Sequence, residues 1–318
     1  MTTKTAEADQ HSEFEEAVLA GFALPQKSIP CRFLYDERGS DLFEQITQLD
    51  EYYPTRTEVK LLNAERNEIA RAVGPGVALV ELGSGSSTKT EILIEGMSDL
   101  AAYVPVEISE SALAGATAKL SKKFPDLKIF PVCADFSNTV SFPDEVRRLP
   151  KFGFFPGSTI GNFEPDQAVS FLSTFRKILG ENGFLLIGVD LDKSPDILLP
   201  AYNDASNVTA EFIMNILNRI NRELDGNFDR SKFSYVVQYN EQLSRVEMFI
   251  QSEANQSVQV SGNKFFFNKS ERIFVEYSHK YSVDSFLTLA NDGGWRSRKY
   301  WIDEDNLFSI HLLEASSD

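Results

Sequence analysis

Glycines 83 and 85 stand in the run Glu81-Leu82-Gly83-Ser84-Gly85-Ser86-Ser87-Thr88, between an apolar stretch and a helical pattern. Two glycines at such a junction let the backbone turn sharply and come close to a ligand with no side chain in the way. The spacing is near that of a dinucleotide-binding fingerprint, but Thr88 occupies the place of a third glycine, which weakens a nicotinamide reading. Glu81 shifts the balance to S-adenosylmethionine (SAM), because an acid there can attract the cationic amino-acid portion of that cofactor. Glu107, closing the next apolar run, can accept hydrogen bonds from ribose hydroxyls. Asp135-Phe136 offers an acceptor for an adenine amino group and an aromatic face for stacking.

A second constellation lies far along the chain. Glu276 and Ser278 are two residues apart in an expected strand, so both point to one face. A carboxylate and a hydroxyl side by side can read both nitrogens of an imidazole. Met248 alternates with Val246 and Ile250 on an apolar strand face and could line the side of such a ring. His11, His279 and His311 have no spacing that suggests a metal site or a catalytic base. His11 and His279 are expected at the surface, and His311 also unless it faces the core.

The elements that must position these groups follow an alternating cadence. Expected strands at 77–82, 102–108, 128–134, 152–156 and 184–191 alternate with expected helices at 88–96, 111–123 and 167–179. Such alternation predicts a doubly wound, mostly parallel α/β sheet covered on both faces, with ligand groups gathered at the carboxyl ends of its strands. Residues 1–12 are expected to be frayed, with helices at 13–23 and 57–73; the proline in Tyr53-Pro54 breaks the pattern between them. A long helical region is expected at 197–224. Antiparallel-type strands follow at 233–239, 245–251, 257–260, 265–267 and 272–281. A helix at 283–291 and strands at 296–301 and 307–313 then supply what a class I SAM-dependent methyltransferase sheet needs after its fifth strand. The expected organisation is a SAM-binding domain of residues 57–192 and 283–318. A second, α+β substrate-binding domain, residues 13–56 and 193–282, is expected to be inserted between the fifth and sixth strands.

Composition narrows the partners. The formal charge is −16, so the surface field repels nucleic acid and anionic lipid. Apolar residues make up 42%, enough for a buried core, and 25 phenylalanines point to aromatic packing or an aromatic-lined pocket. The two cysteines read as ordinary reduced thiols. No signal-like or membrane-spanning apolar run is present in the sequence, and a cytoplasmic monomer without metal is expected.

Four peptides together carry a family resemblance: Phe33-Leu34-Tyr35-Asp36-Glu37-Arg38-Gly39-Ser40, Glu51-Tyr52-Tyr53-Pro54-Thr55-Arg56-Thr57-Glu58, the glycine run through Lys89-Thr90, and Gly157-Ser158-Thr159-Ile160-Gly161-Asn162-Phe163. From about residue 30 onward the chain resembles the L-histidine Nα-methyltransferases of ergothioneine biosynthesis. The resemblance implies three successive methylations of the histidine α-amino group, giving the betaine hercynine. By similarity Gly83, Glu107, Asp135 and Phe136 hold SAM, with Gly85, Ser86, Lys89 and Tyr35 added to the cofactor set. Glu107 departs from the aspartate common in the family, which leaves the geometry of its ribose contact open. The resemblance further implies that Asn162 and Tyr202 grip the substrate carboxylate, and that Tyr35 lies near the amine. Tyr52, Met248, Glu276 and Ser278 would surround the imidazole, and Tyr35 and Asn162 form the catalytic pair. Alternatives are a related enzyme acting on another amino acid such as a tryptophan derivative, an NAD-dependent oxidoreductase, and a non-catalytic ligand-binding protein.

Overall fold

A computed structural model describes residues 3–83, 88–107, 110–134 and 140–316. In chain order the elements are α1 (Thr3–Ala23), α2 (Glu37–Thr47), α3 (Tyr53–Val73), β1 (Ala78–Leu82), α4 (Thr88–Gly96), β2 (Ala102–Glu107), α5 (Glu110–Lys123) and β3 (Val132–Cys133). There follow α6 (Asp144–Arg147), β4 (Lys151–Phe155), α7 (Pro165–Leu179), β5 (Phe184–Asp190), α8 (Pro195–Tyr202) and α9 (Val208–Glu223). The chain continues through β6 (Phe233–Asn240), β7 (Arg245–Ser252), β8 (Gln256–Val260), β9 (Asn263–Phe267) and β10 (Arg272–His279). It closes with α10 (Val283–Asp292), β11 (Trp295–Ile302) and β12 (Phe308–Ala315). Two compact units result: unit 1 is Met1–Tyr52 with Lys193–Ser278, and unit 2 is Tyr53–Asp192 with His279–Asp318.

Unit 2 is built on a seven-stranded sheet of order β11-β12-β5-β4-β1-β2-β3. Its strands are parallel from β3 to β5, and β12 runs antiparallel to both β5 and β11. Side chains alternate between two cores, as a period of two requires. Ala78, Val80 and Leu82 join Phe171, Phe175 and Trp295 on one face. Leu79 joins Leu62, Phe152, Phe154 and Phe308 on the other. Helix α7 begins with Pro165 after a capping box of Glu164 and Gln167, and turns Ala168, Phe171, Leu172, Phe175 and Leu179 inward.

Unit 1 contains a three-stranded sheet, β10-β7-β6, and a β8-β9 hairpin, with α1, α2, α8 and α9. Phe22 of α1 meets the rings of Phe228, Phe265 and Phe267. Asp36 caps α2 by accepting from the Gly39 N–H. Residue 39 must be glycine, because a Cβ there would stand 1.7 Å from the Leu34 carbonyl oxygen.

Several boundaries differ from the sequence expectation. The third strand shrinks to Val132–Cys133, with an isolated bridge at Ile129, because Pro131 has no N–H to give the ladder. The region 197–224 divides into α8 and α9, since the Asp204 carboxylate accepts from the Val208 and Thr209 N–H groups and starts a new helix. Proline at 54 does not delay α3, because the first turn of a helix tolerates it. The N-terminal helix begins at Thr3 instead of fraying to residue 12, with Phe14, Val18 and Phe22 buried at four-residue spacing. Among the described residues no helix is long and apolar enough to cross a membrane.

The chain passes between the units at Tyr52/Tyr53, Asp192/Lys193 and Ser278/His279. Inside unit 2, side chains next to all three passages meet. The Tyr53 hydroxyl donates to Asp190 at 2.8 and 3.0 Å, and Lys280 Nζ lies 2.5 Å from the same carboxylate. The Lys280 and Asp190 side chains are 0% and 1% exposed.

Candidate functional site

In unit 2 the carboxyl ends of the parallel strands form a rim, and the strand order reverses between β1 and β4, where ligands of such sheets bind. Gly83 leaves β1 with φ +72°, its N–H bonded to the Val106 carbonyl. No described atom lies within 4 Å of where a Cβ would stand, so the backbone here is open to a ligand. Glu107 ends the neighbouring strand and is half-buried. These features fit the nucleoside half of SAM. Gly85, Ser86, Asp135 and Phe136, also expected in this site, lie outside the described residues.

The first turn of α4 is held by two buried carboxylates. Glu81 accepts from Thr90 at 2.8 Å and from the Tyr103 hydroxyl at 2.5 Å. Burial raises its pKa to about 7, against the pull of these two hydrogen bonds. Through these bonds it braces α4 against β1 and β2. Glu58, wholly buried on α3, sits 2.5 Å from Lys89 Nζ and accepts from the Gly157 N–H at 2.9 and 3.1 Å. Lys89, expected among the cofactor residues, is therefore engaged by Glu58.

Asn162 ends a short 3₁₀ turn, Thr159–Asn162, entered through Ser158 in the left-handed region at φ 57°. Asp190 steadies that strained entry, its N–H donating to the Ser158 hydroxyl at 2.9 Å. Asn162 is half-buried, whereas Phe163 stacks on Phe171 at 5.1 Å and packs with the core. His279 is buried, not exposed as expected, with Nε2 3.7 Å from Glu164. His311 is fully buried, its Nε2 beside Ser309. Only His11 lies at the surface.

Unit 1 holds the expected acceptor residues Tyr35, Tyr52, Tyr202, Met248, Glu276 and Ser278, whereas Asn162 belongs to unit 2. Glu276 and Ser278 are both buried on β10. The Tyr202 hydroxyl donates to Ser278 Oγ at 3.0 Å, and the Tyr52 ring meets that of Tyr202 edge-on at 6.2 Å. Tyr35 packs against Phe43 and Phe212. The residue is 41% exposed, and its pKa is pushed well above 10 by desolvation and by the nearby Glu276 charge. Tyr52 and Tyr202 also act on Tyr35 electrostatically, with smaller effect than Glu276. Met248 is buried in β7 opposite Val237, in the strand between β10 and β6.

Two members of this cluster escape sequence reasoning. Tyr235 donates to the Tyr202 carbonyl at 2.7 Å, and burial and Glu276 raise its pKa well above 10. Burial and Glu276 likewise push the Cys31 thiol up to about 12. Neither has a distinctive spacing in sequence; only the shared field of Glu276 marks them. Among the described residues no cluster of three or more His, Cys, Asp or Glu could hold a metal.

A seven-stranded sheet with one reversed strand, an open glycine turn and acids on its carboxyl rim defines the class: a SAM-dependent methyltransferase. The sequence profile of the family described as "Histidine-specific methyltransferase, SAM-dependent" matches residues 14–315, and the chain belongs to that family. A histidine N-alpha-methyltransferase of Mycolicibacterium smegmatis is 38% identical over 301 residues, covering 93% of this chain and 92% of its own. A second, from Mycobacterium tuberculosis, is 34% identical, covering 95% of each chain. "Ergothioneine biosynthesis protein 1" of Neurospora crassa is 30% identical over 91% of this chain and 33% of its own.

Proposed function

We propose that this enzyme methylates the α-amino group of L-histidine three times, yielding hercynine for ergothioneine biosynthesis. In this reading residues 57–192 and 283–318 serve SAM, and residues 13–56 and 193–282 serve the amino acid. The observation that carries it is Glu276, a buried carboxylate on the same strand face as Ser278, whose charge acts on the hydroxyls of Tyr35 and Tyr235 while Tyr202 donates to Ser278. An imidazole offers an N–H to the acid and a second nitrogen to the hydroxyl. An indole has only one N–H and offers the hydroxyl no acceptor nitrogen.

SAM, when bound, supplies an activated methyl group on a sulfonium. The protein's share is alignment. Gly83 and Glu107 hold the nucleoside, Asn162 and Tyr202 take the acceptor carboxylate, and Glu276 with Ser278 fixes the ring. Orienting the acceptor at both ends aims the lone pair of its amine. An α-amino group titrates near pH 8, so a free-base fraction exists without a strong base. Tyr35 keeps its proton throughout the working range and therefore orients the amine instead of deprotonating it; the proton leaves to water. The tyrosine faces also suit the quaternary ammonium of the product.

Incubating the protein with SAM and a panel of amino acids, followed by mass spectrometry, tests the proposal. Histidine should gain one, two and then three methyl groups. Preferential transfer to tryptophan or another amino acid would overturn it.

A further inference from the structure

Glu58 has no counterpart among the groups that touch substrate or cofactor in the reading above, yet it is completely buried. Its surroundings are built for it. Residue 188 on β5 is glycine, and a Cβ there would stand 2.1 Å from Glu58 Oε1. Sheet and carboxylate therefore occupy space that any other residue at 188 would take. The carboxylate faces two elements. Its oxygens accept from the backbone N–H of Gly157, which opens the Gly157–Asn162 turn at φ +82°. One oxygen also pairs with Lys89, the second residue of α4, the helix entered from the glycine turn. Lys89 borders both: a Cβ on Gly157 would lie 3.5 Å from its Nζ.

We propose that Glu58 is a positioning residue that couples the cofactor turn to the acceptor turn. One rigid, buried carboxylate fixes the backbone before Asn162 and, through Lys89, the first turn of α4. A shift of α4 on cofactor binding displaces Lys89, and the pair passes that displacement to Gly157. Binding at either turn then favours the arrangement the other needs, which is reciprocal coupling in the thermodynamic sense. The proposal rests on the reading that Asn162 takes the acceptor carboxylate and extends it to the order in which the site is assembled.

Calorimetric titration of L-histidine into the whole protein, without and with saturating S-adenosylhomocysteine, reads the coupling. S-adenosylhomocysteine should tighten histidine binding about fivefold or more in the wild type. In Glu58→Gln, which can still accept from Gly157 but cannot form the ion pair, the enhancement should fall to within about twofold. Lys89→Arg, which keeps the pair, should retain the enhancement, and Lys89→Gln should lose it. Should Glu58→Gln fail to fold, the Lys89 pair of variants decides the question alone. A Glu58→Gln protein that melts earlier but keeps the full enhancement overturns the proposal, since a purely structural role predicts that result. Equal histidine affinity with and without S-adenosylhomocysteine in the wild type overturns the coupling and leaves the substrate reading standing. A wild type that binds S-adenosylhomocysteine but no histidine overturns the substrate reading, and the coupling with it.

Discussion

A carboxylate as buried as that of Glu276 persists only with donors around it, and an imidazole N–H is one it can recruit from a ligand. In the proposed reading, removing it takes away a substrate hydrogen bond to a charged acceptor, worth about 1.5–3 kcal/mol. Glu276→Leu should therefore lower kcat/KM for histidine by about ten- to a hundredfold, and with Met248→Ala it should raise relative use of tryptophan. Unchanged preference in competition assays would remove both residues as selectors. Tyr35 makes a different prediction. With its pKa well above 10, the hydroxyl does not titrate in the working range. The rise of kcat/KM with pH should follow the substrate ammonium alone, and Tyr35→Phe should keep that limb while losing less than about tenfold in kcat. Loss of the limb in the variant would assign Tyr35 the role of base.

Two single elements of unit 2 carry ionisable groups whose burial shows in stability. Glu81 on β1 has a folded pKa of about 7 against an ordinary 4.5, so the folded state holds its proton more tightly. The stability it contributes is full below about pH 4.5 and is lost as pH rises through about 7, at most about 3 kcal/mol. Glu81→Gln should flatten Tm over that interval. His311 on β12 has the opposite sign: burial lowers its pKa from 6.5 to about 3. Its stability is full above pH 6.5 and drains as pH falls toward about 3. His311→Phe should flatten the acid limb of the same Tm curve, since Phe286 packs against the ring and Ser309 retains the Val189 carbonyl.

These elements also mark what was legible in the sequence. Strand-helix alternation and the glycine turn sufficed for the parallel sheet, because buried parallel strands leave apolar runs. The face shared by Glu276 and Ser278 followed from the two-residue period of a strand. Pro131 hid the shortness of β3, and Asp204 hid the break between α8 and α9, because a missing donor and a side-chain cap leave no mark on hydrophobic periodicity. Glu58 and Lys89 stood in quoted peptides, but an acid in a helix and a lysine near a glycine loop read as solvent-facing or ligand-facing. Their pairing needed the close approach that Gly188 permits.

Over the whole molecule, three chain passages leave unit 2 beside a single buried cluster, Tyr53, Asp190 and Lys280. Asp190→Ala leaves the Lys280 ammonium buried without its counter-charge, which should cost about 3–5 kcal/mol in denaturant unfolding. Adding Asp190→Asn together with Lys280→Met, which removes both charges, should cost markedly less. Equal destabilisation by the two variants would show that the charge pair is not what holds the passages. The Ser158 hydroxyl accepts from the backbone N–H of residue 190, which both variants retain, so the turn before Asn162 should keep that bond wherever the protein remains folded.

Unit 1 draws on two stretches of chain, one ending at Tyr52 and the other beginning at Lys193. A ribosome delivers the first long before the second. Phe14, Val18 and Phe22 of α1 emerge with an apolar face whose partners, Phe228, Phe265 and Phe267 among them, are not yet made. Throughout translation of the intervening sheet that face is a target for chaperones and for wrong docking. The native cover of that face is therefore incomplete until the second stretch has been made.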